Sequence, residues 1–218
     1  MLAVEIKHVV WDWNGTLLAD NDAVLSAVNA VCAGFGRTAI TLEHWRSTFS
    51  RPLQQCYEQL LAQELDAAAW SRIDAIYHDH YRDLLSLCTL ADGVPEHLHA
   101  WGDLGRTQSL LSMWYHHELV ALVEEFRLTG LFTRIDGLRE GVVGGGSKAA
   151  HLAEHLAAQD LDPADVVLIG DVVDDAEAAA HVGASCVLVT TGVMSRAKLE
   201  AAGVPVADSI SEALHLVR

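Results

Sequence analysis

Basic residues are scarce in this sequence, and their scarcity argues against one class of partner. Lysine and arginine total 14 of 218 residues against 30 aspartates and glutamates, which leaves a net charge of -16 at pH 7. A protein that binds nucleic acid needs cationic side chains to replace the counterions of the phosphate backbone, and no basic cluster interrupts the acidic sequence. We therefore expect no nucleic-acid partner.

Long apolar runs and closely spaced cysteines are also absent. No segment approaches the ~20 apolar residues that cross a membrane, and the short charged stretch at the N-terminus does not resemble a signal peptide. The four cysteines are widely spaced and form no C-x-x-C pair, as is typical of reduced core residues. These absences predict a cytoplasmic protein without a membrane partner.

The first apolar run of the chain ends in a carboxylate and a turn. Val9, Val10 and Trp11 suit a buried strand, and the pair Asn14-Gly15 breaks it. Asp12 is therefore expected at the carboxyl end of a strand, which is the edge where open α/β sheets bind ligands.

The segment 12–17 reads D-W-N-G-T-L and resembles the first motif of the haloacid dehalogenase (HAD) superfamily, D-x-D-G-T-L/V. Further segments match that family's motifs in the same order: Ser112 after an apolar run, Lys148, and the segment 170–175, which fits G-D-x-x-x-D. The resemblance covers the chain end to end and is greatest to the phosphoglycolate phosphatase group. It implies a Rossmann-like α/β core, with a parallel sheet flanked by helices, and a small all-helical (type C1) cap inserted after the first strand.

The pattern along the chain predicts the same organisation. Helical spacing continues from residue 18 to 87 without a strand pattern, whereas strands and helices alternate after the break at 92–95. We expect a core domain over 1–17 and 88–218 and a helical cap domain over 18–87. After the first strand, the predicted strands are 107–111, 132–135, 166–169 and 186–189. The first predicted helix begins after the capping residues 20–22 and ends at Gly34 and Gly36. Further helices are predicted over 41–50, 53–61, 66–85, 95–104, 115–126, 148–158 and 174–182, with a glycine-rich loop over 141–146.

The resemblance also implies which residues carry the chemistry. Asp12 would be the nucleophile that forms an aspartyl-phosphate, and Ser112 and Lys148 would bind the phosphate. The expected catalytic residues are Asp12, Asn14, Ser112 and Lys148. The expected Mg²⁺ ligands are Asp12, Asn14 through its backbone carbonyl, Asp171 and Asp175. The expected substrate-binding residues are Gly15, Thr16, Arg51, Ser112, Met113 and Lys148.

The residues themselves support part of this assignment. Asp12 and Asp171 each follow a buried strand, so their carboxylates can meet at one sheet edge and supply the hard oxygen ligands that Mg²⁺ prefers. Lys148 is one of three lysines and starts a helix, where a cation is disfavoured, so we expect it to face an anion. Ser112 and the Met113 N–H are expected at a strand-to-helix turn, which suits phosphate oxygens.

Asn14 departs from the family motif. In the resembled phosphatases an aspartate at this position protonates the leaving alcohol and then activates water, which an amide cannot do. An active but slow phosphatase is our preferred interpretation. The alternative is a weakened or inactive relative that binds a phosphorylated ligand or acts as a scaffold.

Other enzyme classes fit the sequence less well. The segment 141–149 resembles a P-loop, but its lysine comes one place late and Ala149 replaces the hydroxyl residue. His151 and His155 complete an H-x-x-E-H pattern, for which structural histidines are the favoured interpretation. Phosphonoacetaldehyde hydrolases need a lysine in the helical insertion, where this chain has none, and haloacid dehalogenases need no acidic pair such as Asp171 and Asp175.

The predicted substrate is a small phosphorylated metabolite. Arg51 precedes Pro52 at a helix break and is the best candidate for binding a second anionic group, although a solvated helix-end arginine fits the sequence equally well. The sequence does not distinguish among phosphoglycolate, sugar phosphates and nucleotides, and it does not predict an oligomeric state.

Overall fold

A computed structural model describes residues 5–139 and 148–217. The chain divides into two compact units, one comprising Met1–Ala19, Leu90–Gly192 and Arg196–Arg218, and the other Asp20–Thr89 and Val193–Ser195. The strands are β1 His8–Trp11, β2 Leu18–Ala19, β3 Thr89–Leu90, β4 Thr107–Tyr115, β5 Ile135–Leu138, β6 Val166–Gly170, β7 Ser185–Val189 and β8 Val206–Ala207. The helices are α1 Asn21–Gly34, α2 Leu42–Thr48, α3 Leu53–Leu61, α4 Ala67–Leu85, α5 Val94–Asp103, α6 His116–Glu125, α7 Lys148–Ala157, α8 Val173–Val182, α9 Arg196–Ala201 and α10 Ile210–Leu216.

The first unit is built on a parallel sheet with the strand order β5-β4-β1-β6-β7-β8. Its central strands β1 and β6 are buried along their whole length, as their apolar sequences predict. From β1 the chain builds outward through β4 and β5, then returns to β6 on the other side of β1. Residues that follow β1, β4, β6 and β7 therefore lie at the carboxyl edge around a point where the strand order reverses, and the predicted α/β fold is confirmed.

The second unit contains α1 to α4. Helix α1 packs on α4 and buries Val24, Val28 and Val31 at helical spacing. The predicted helix at 53–61 is confirmed to the residue, and Thr41 caps α2 by accepting a hydrogen bond from the His44 N–H. Asp20 occupies the N-cap position of α1 but makes no side-chain cap bond. Its carboxylate instead accepts a hydrogen bond from the Tyr81 hydroxyl at 2.5 Å.

Several predicted element boundaries are wrong. Strand β4 continues to Tyr115, four residues beyond its predicted end, because an irregularity after Leu111 lets it resume pairing with β5. Strand β5 begins where the strand predicted at 132–135 ends, since a 3-10 helix and an extended stretch precede it. The short strands β2 and β3, and the elements α9, β8 and α10, have no counterpart among the predictions. The predicted loop at 141–146 lies outside the described residues.

Candidate active site

Two of the predicted carboxylates meet because β1 and β6 are adjacent and in register. Trp11 pairs with Ile169, and the Asp12 N–H continues the ladder by donating to the Ile169 carbonyl at 2.9 Å. Asp12 and Asp171 therefore leave the sheet at the same edge, and both are buried, with 6% and 4% of their surface exposed. The sheet register thus brings the two side chains together.

Asp175 joins them one helical turn after Asp171. It is fully buried, and its Oδ2 accepts a hydrogen bond from the Val172 N–H at 3.1 Å, which caps the start of α8. Oxygens of Asp12, Asp171 and Asp175 all lie within 4.8 Å of one another. Among residues 5–139 and 148–217, these three form the group of acidic, histidine or cysteine side chains that could hold a metal ion.

Lys148 supplies the cation of the site. It is buried at the first position of α7, its Nζ donates to Asp12 Oδ1 at 2.5 Å, and it forms an ion pair with Asp175. Burial raises the pKa of the Asp12 carboxyl to about 6, although the Lys148 ammonium opposes that rise. Burial also disfavours the charged ammonium, but the two carboxylates outweigh it and raise the pKa of Lys148. At neutral pH the site therefore presents an ionised carboxylate beside a protonated lysine.

Two glycines leave room for the Asp171 carboxylate. A Cβ on Gly15, whose φ is +70°, would lie 2.7 Å from Asp171 Oδ2, and a Cβ on Gly192 would lie 1.7 Å from the same atom. Thr191 then ties the two glycine segments together, because its hydroxyl donates to the Gly15 carbonyl oxygen at 2.7 Å. Any side chain at position 15 or 192 would have to displace the carboxylate.

Asn14 and Ser112 are joined by a hydrogen bond. The Ser112 hydroxyl donates to Asn14 Oδ1 at 3.3 Å and accepts from the Trp114 N–H at 3.0 Å. The predicted strand-to-helix turn at Ser112 and Met113 is wrong, since both residues lie inside β4 and α6 begins at His116. Ser112 is nevertheless buried beside the Asp12 turn.

The donor set fits a divalent cation. Three buried carboxylates supply the hard oxygen ligands typical of Mg²⁺ and Ca²⁺ sites, while a single lysine cannot balance three negative charges. Gly15 and Gly192 keep the space beside Asp171 free of side chains. The geometry therefore suits a hard metal ion held by Asp12, Asp171 and Asp175.

Comparison with known families decides the wider relationship. The model of the haloacid dehalogenase-like hydrolases matches residues 9–189, which include every motif described above. The chain belongs to this family.

Individual relatives of this HAD-like hydrolase agree with the assignment. It is 28% identical to a phosphoglycolate phosphatase of Thiobacillus denitrificans over 86% of this chain and 84% of that protein. It is 27% identical to a phosphoglycolate phosphatase of Aliivibrio fischeri over 94% of this chain and 90% of that protein. A solved haloacid dehalogenase-like hydrolase of Streptococcus pneumoniae shares the fold, with a TM-score of 0.83, 18% identity and coverage of 98% and 99%. The predicted enzyme class, a phosphatase of the HAD type, is confirmed.

The remaining predicted residues of this HAD-like hydrolase lie in different places. Thr16 is fully buried in the turn after Asp12, and Met113 is half-buried in β4. Arg51 belongs to the helical unit, where it is exposed and its charge lowers the pKa of Tyr77 against the larger raising effect of burial. Its role toward a substrate stays a prediction.

Sequence reasoning missed Thr191 and Gly192. The available signal was their position shortly after the apolar strand β7, separated from it by Thr190, at the same edge as Asp12 and Asp171. His155, by contrast, is committed elsewhere: it is 1% exposed and contacts Asp136 and Ser109, which supports its interpretation as a structural histidine. No helix within the described parts of the HAD-like hydrolase is long and apolar enough to cross a membrane.

Proposed function

We propose that the protein hydrolyses a small phosphomonoester, phosphoglycolate or a compound like it, in a Mg²⁺-dependent reaction with Asp12 as the nucleophile. The observation that carries this proposal is the burial of Asp12, Asp171 and Asp175 in one group, with the Lys148 ammonium paired to Asp12 and Asp175. Three carboxylates gathered out of water are costly to keep unless cations hold them there. Binding of a metal ion and a phosphate at this site would explain why the three carboxylates are kept together.

Asp12, Asp171, Asp175 and the Asn14 carbonyl would hold the metal. Bound there, Mg²⁺ would neutralise part of the charge of the transferring phosphoryl group. Lys148 adds a fixed positive charge and holds the Asp12 carboxylate in one orientation through its 2.5 Å contact. Its ammonium is already desolvated, so little reorganisation is needed when the phosphate enters.

The reaction has two displacement steps on phosphorus. An Asp12 oxygen attacks the phosphorus, the bond to the substrate oxygen breaks with its electron pair, and the departing alkoxide takes a proton from water. Water then attacks the aspartyl-phosphate, the Asp12–phosphorus bond breaks, and inorganic phosphate leaves with the carboxylate regenerated. Ser112 and the Met113 backbone N–H would donate hydrogen bonds to the phosphoryl oxygens.

Asn14 limits this mechanism. An amide cannot donate a proton to the leaving oxygen or remove one from water, so both proton transfers fall to solvent or to the substrate. Good leaving groups suffer least from that loss. The proposal therefore predicts higher turnover of p-nitrophenyl phosphate than of alkyl phosphates.

Phosphate release with Mg²⁺ from p-nitrophenyl phosphate and phosphoglycolate tests the proposal. Asp12→Asn should lower kcat by at least about 10³-fold, because it removes the nucleophile. Asp174→Asn is a matched control on α8, outside the group of three carboxylates, and should retain activity. Release that persists in Asp12→Asn, or depends equally on Asp174, would contradict an aspartyl-phosphate on Asp12.

Asn14 also favours a second candidate function, a non-catalytic protein that binds a phosphorylated ligand. The pocket would then keep its phosphate-binding groups and lack turnover. Calorimetric binding of inorganic phosphate in the presence of Mg²⁺, together with no Asp12-dependent release from a broad panel of phosphomonoesters, would support this candidate over the enzyme.

A further inference from the structure

A chain of buried polar side chains crosses one face of the parallel sheet, separate from the acidic group. His155 Nδ1 lies 2.7 Å from Asp136 Oδ2, and its Nε2 lies 2.8 Å from Ser109 Oγ. Ser109 Oγ is also 2.7 Å from His8 Nε2, and His8 Nδ1 is 2.7 Å from Thr107 Oγ1. His8, Ser109 and His155 are at most 1% exposed. The described function uses none of them.

Strand register explains why these residues share a face. His8 pairs with Thr107 on adjacent strands, and Asp136 pairs with Leu111. Because side chains alternate along a strand, Thr107, Ser109 and Leu111 point to one face, and their partners point with them. Helix α7 packs on β4 and brings His155 to that face. These hydrogen-bonded side chains thus link β1, β4, β5 and α7.

Asp136, His155 and Ser109 have the contacts of a nucleophilic triad, but burial excludes that use. A serine nucleophile has to reach the carbonyl carbon of a substrate, and Ser109 is 0% exposed beneath α7. No substrate can approach its hydroxyl without removing the helix from the sheet. The role of this buried network is therefore structural, without direct contact to a substrate.

The proton positions can satisfy every member of the chain. Burial raises the pKa of Asp136, but hydrogen bonds from His155 and Arg134 outweigh it and hold the pKa well below its usual range. An ionised Asp136 makes His155 Nδ1 the donor, and in the neutral imidazole Nε2 then accepts from the Ser109 hydroxyl. Ser109 in turn accepts from His8 Nε2. A fully satisfied buried network specifies one geometry, since any displacement leaves a buried polar atom unpaired.

Helix α7 connects this network to the acidic group. Lys148 and His155 are seven residues apart, two helical turns, so they lie on the same face of α7. Lys148 contacts Asp12 and Asp175 at the start of the helix, while His155 contacts Asp136 and Ser109 near its end. Helix α7 therefore has two polar attachments on one face.

We propose that His155 is a positioning residue for Lys148. The Asp136–His155–Ser109 contacts fix the rotation and axial position of α7 on the sheet, and so place the ammonium between Asp12 and Asp175. Apolar packing alone leaves a helix freer to slide or rotate, because dispersion contacts are not directional. The consequence for turnover rests on the proposed function, whereas the effect on Lys148 does not.

Matched glutamine variants on one helix test the proposal through kinetics. His155→Gln should lower kcat about 10 to 100-fold with little change in KM, since a displacement near 1 Å in a catalytic group has that cost. His151→Gln changes the same residue type one turn earlier on α7, at a residue that takes no part in the contacts described above, and should leave kcat within about twofold. Asp136→Asn keeps the volume of the side chain and should lower kcat as His155→Gln does.

A double-mutant cycle separates positioning from general destabilisation. If His155 acts through Lys148, adding His155→Gln to Lys148→Met should lower kcat no further than Lys148→Met alone. Independent, multiplicative losses in kcat would contradict the proposal.

Lysine spectroscopy provides a readout that does not need activity. The chain has three lysines, Lys7, Lys148 and Lys198, so protein labelled with ¹⁵N-lysine gives a simple ammonium spectrum. The signal protected from exchange should disappear in Lys148→Met. It should shift or broaden in His155→Gln and Asp136→Asn and stay unchanged in His151→Gln.

The outcomes distinguish the two proposals. An unchanged Lys148 signal in folded His155→Gln and Asp136→Asn, with only the melting temperature lowered, would overturn the positioning role. If the wild-type protein lacks phosphatase activity and the Lys148 signal still shifts in His155→Gln, the positioning role is supported and the proposed function is rejected. If His155→Gln does not fold, Asp136→Asn and Ser109→Ala give the same readout.

Discussion

Asn14 is the residue that most affects the expected rate. Its side chain accepts a hydrogen bond from Ser112 near Asp12, the proposed nucleophile, in the place where the resembled phosphatases carry a carboxylate. Asparagine and aspartate have nearly the same shape, so the amide keeps the packing and the hydrogen bond but loses the proton transfer. The geometry of the site is thus compatible with either residue.

Asn14→Asp should raise kcat by up to about 10²–10⁴-fold, the usual contribution of a positioned general acid–base. The gain should be larger for phosphoglycolate than for p-nitrophenyl phosphate, because an alkoxide needs the proton more than a nitrophenolate does. Steady-state kinetics with both substrates provides the measurement. A large loss of activity would instead indicate a site adapted to the neutral amide, in which a fourth carboxylate is repelled by the other three.

At the scale of elements, the segment after β7 completes the acidic site. Thr191 binds the Gly15 carbonyl oxygen, and Gly192 lies against the Asp171 carboxylate. A parallel sheet places such loops at one edge, so a residue far along the chain can be essential to the first motif. The space beside Asp171 exists because position 192 has no side chain.

Gly192→Ala should weaken Mg²⁺ binding and lower kcat/KM by about 10 to 100-fold, since its Cβ would overlap Asp171 and displace the carboxylate. Isothermal titration with Mg²⁺ and phosphate-release kinetics measure the two effects. Gly102→Ala is the matched control, because a Cβ there meets nothing within 4 Å. If Gly192→Ala and Gly102→Ala bind Mg²⁺ equally well, then the close approach of Gly192 does not hold Asp171 in place as a metal ligand.

Strand β1 contributes to the pH dependence of stability through His8. Burial first, and next the electrostatic effect of the neighbouring His155, lower the pKa of His8 from 6.5 to about 4. Between these values the unfolded chain binds more protons than the folded one, so stability is lost as the pH falls. Below about pH 4 both states are protonated and the loss is complete.

We expect the free energy of unfolding to fall by about 2 kcal/mol from His8 alone between about pH 7.5 and pH 5. Urea unfolding at the two pH values gives this difference. His8→Gln should remove that part of the difference, whereas His99→Gln, at an exposed position of α5, should keep it. An equal pH dependence in His8→Gln and wild type would assign the acid sensitivity to other groups.

At the scale of the whole molecule, we propose that the two units have different roles. The α/β unit contains the groups that we propose for phosphoryl transfer, and the helical unit is the cap that selects the substrate. Arg51 belongs to that unit and is exposed at a helix break. A guanidinium suits bidentate binding of a second carboxylate or phosphate.

Arg51→Gln should raise KM for phosphoglycolate about tenfold and leave KM for p-nitrophenyl phosphate unchanged, because the second compound has no further anionic group. Arg37→Gln, another exposed arginine of the helical unit, serves as the control. Equal changes for the two substrates would show that Arg51 does not read the second anion.

The local pattern of the sequence determined the main strands and helices, and it indicated the acidic group and its lysine. Apolar runs predicted β1, β6 and β7 because parallel strands buried on both faces carry few polar residues. The motif order alone indicates Asp12, Asp171, Asp175 and Lys148. Helix ends were predictable where glycine or a capping residue marks them, as for α1 and α2.

Tertiary structure alone decided the contacts between segments distant in sequence. Nothing local reveals that Gly192 lies against Asp171 or that Ser109 lies between His8 and His155, because strand register and helix packing create those distances. The same holds for β4, whose irregularity after Leu111 depends on its pairing with β5. Sequence periodicity indicates which face of a helix or strand is buried. Which residues that face contacts depends on the strand order of the sheet and on helix packing.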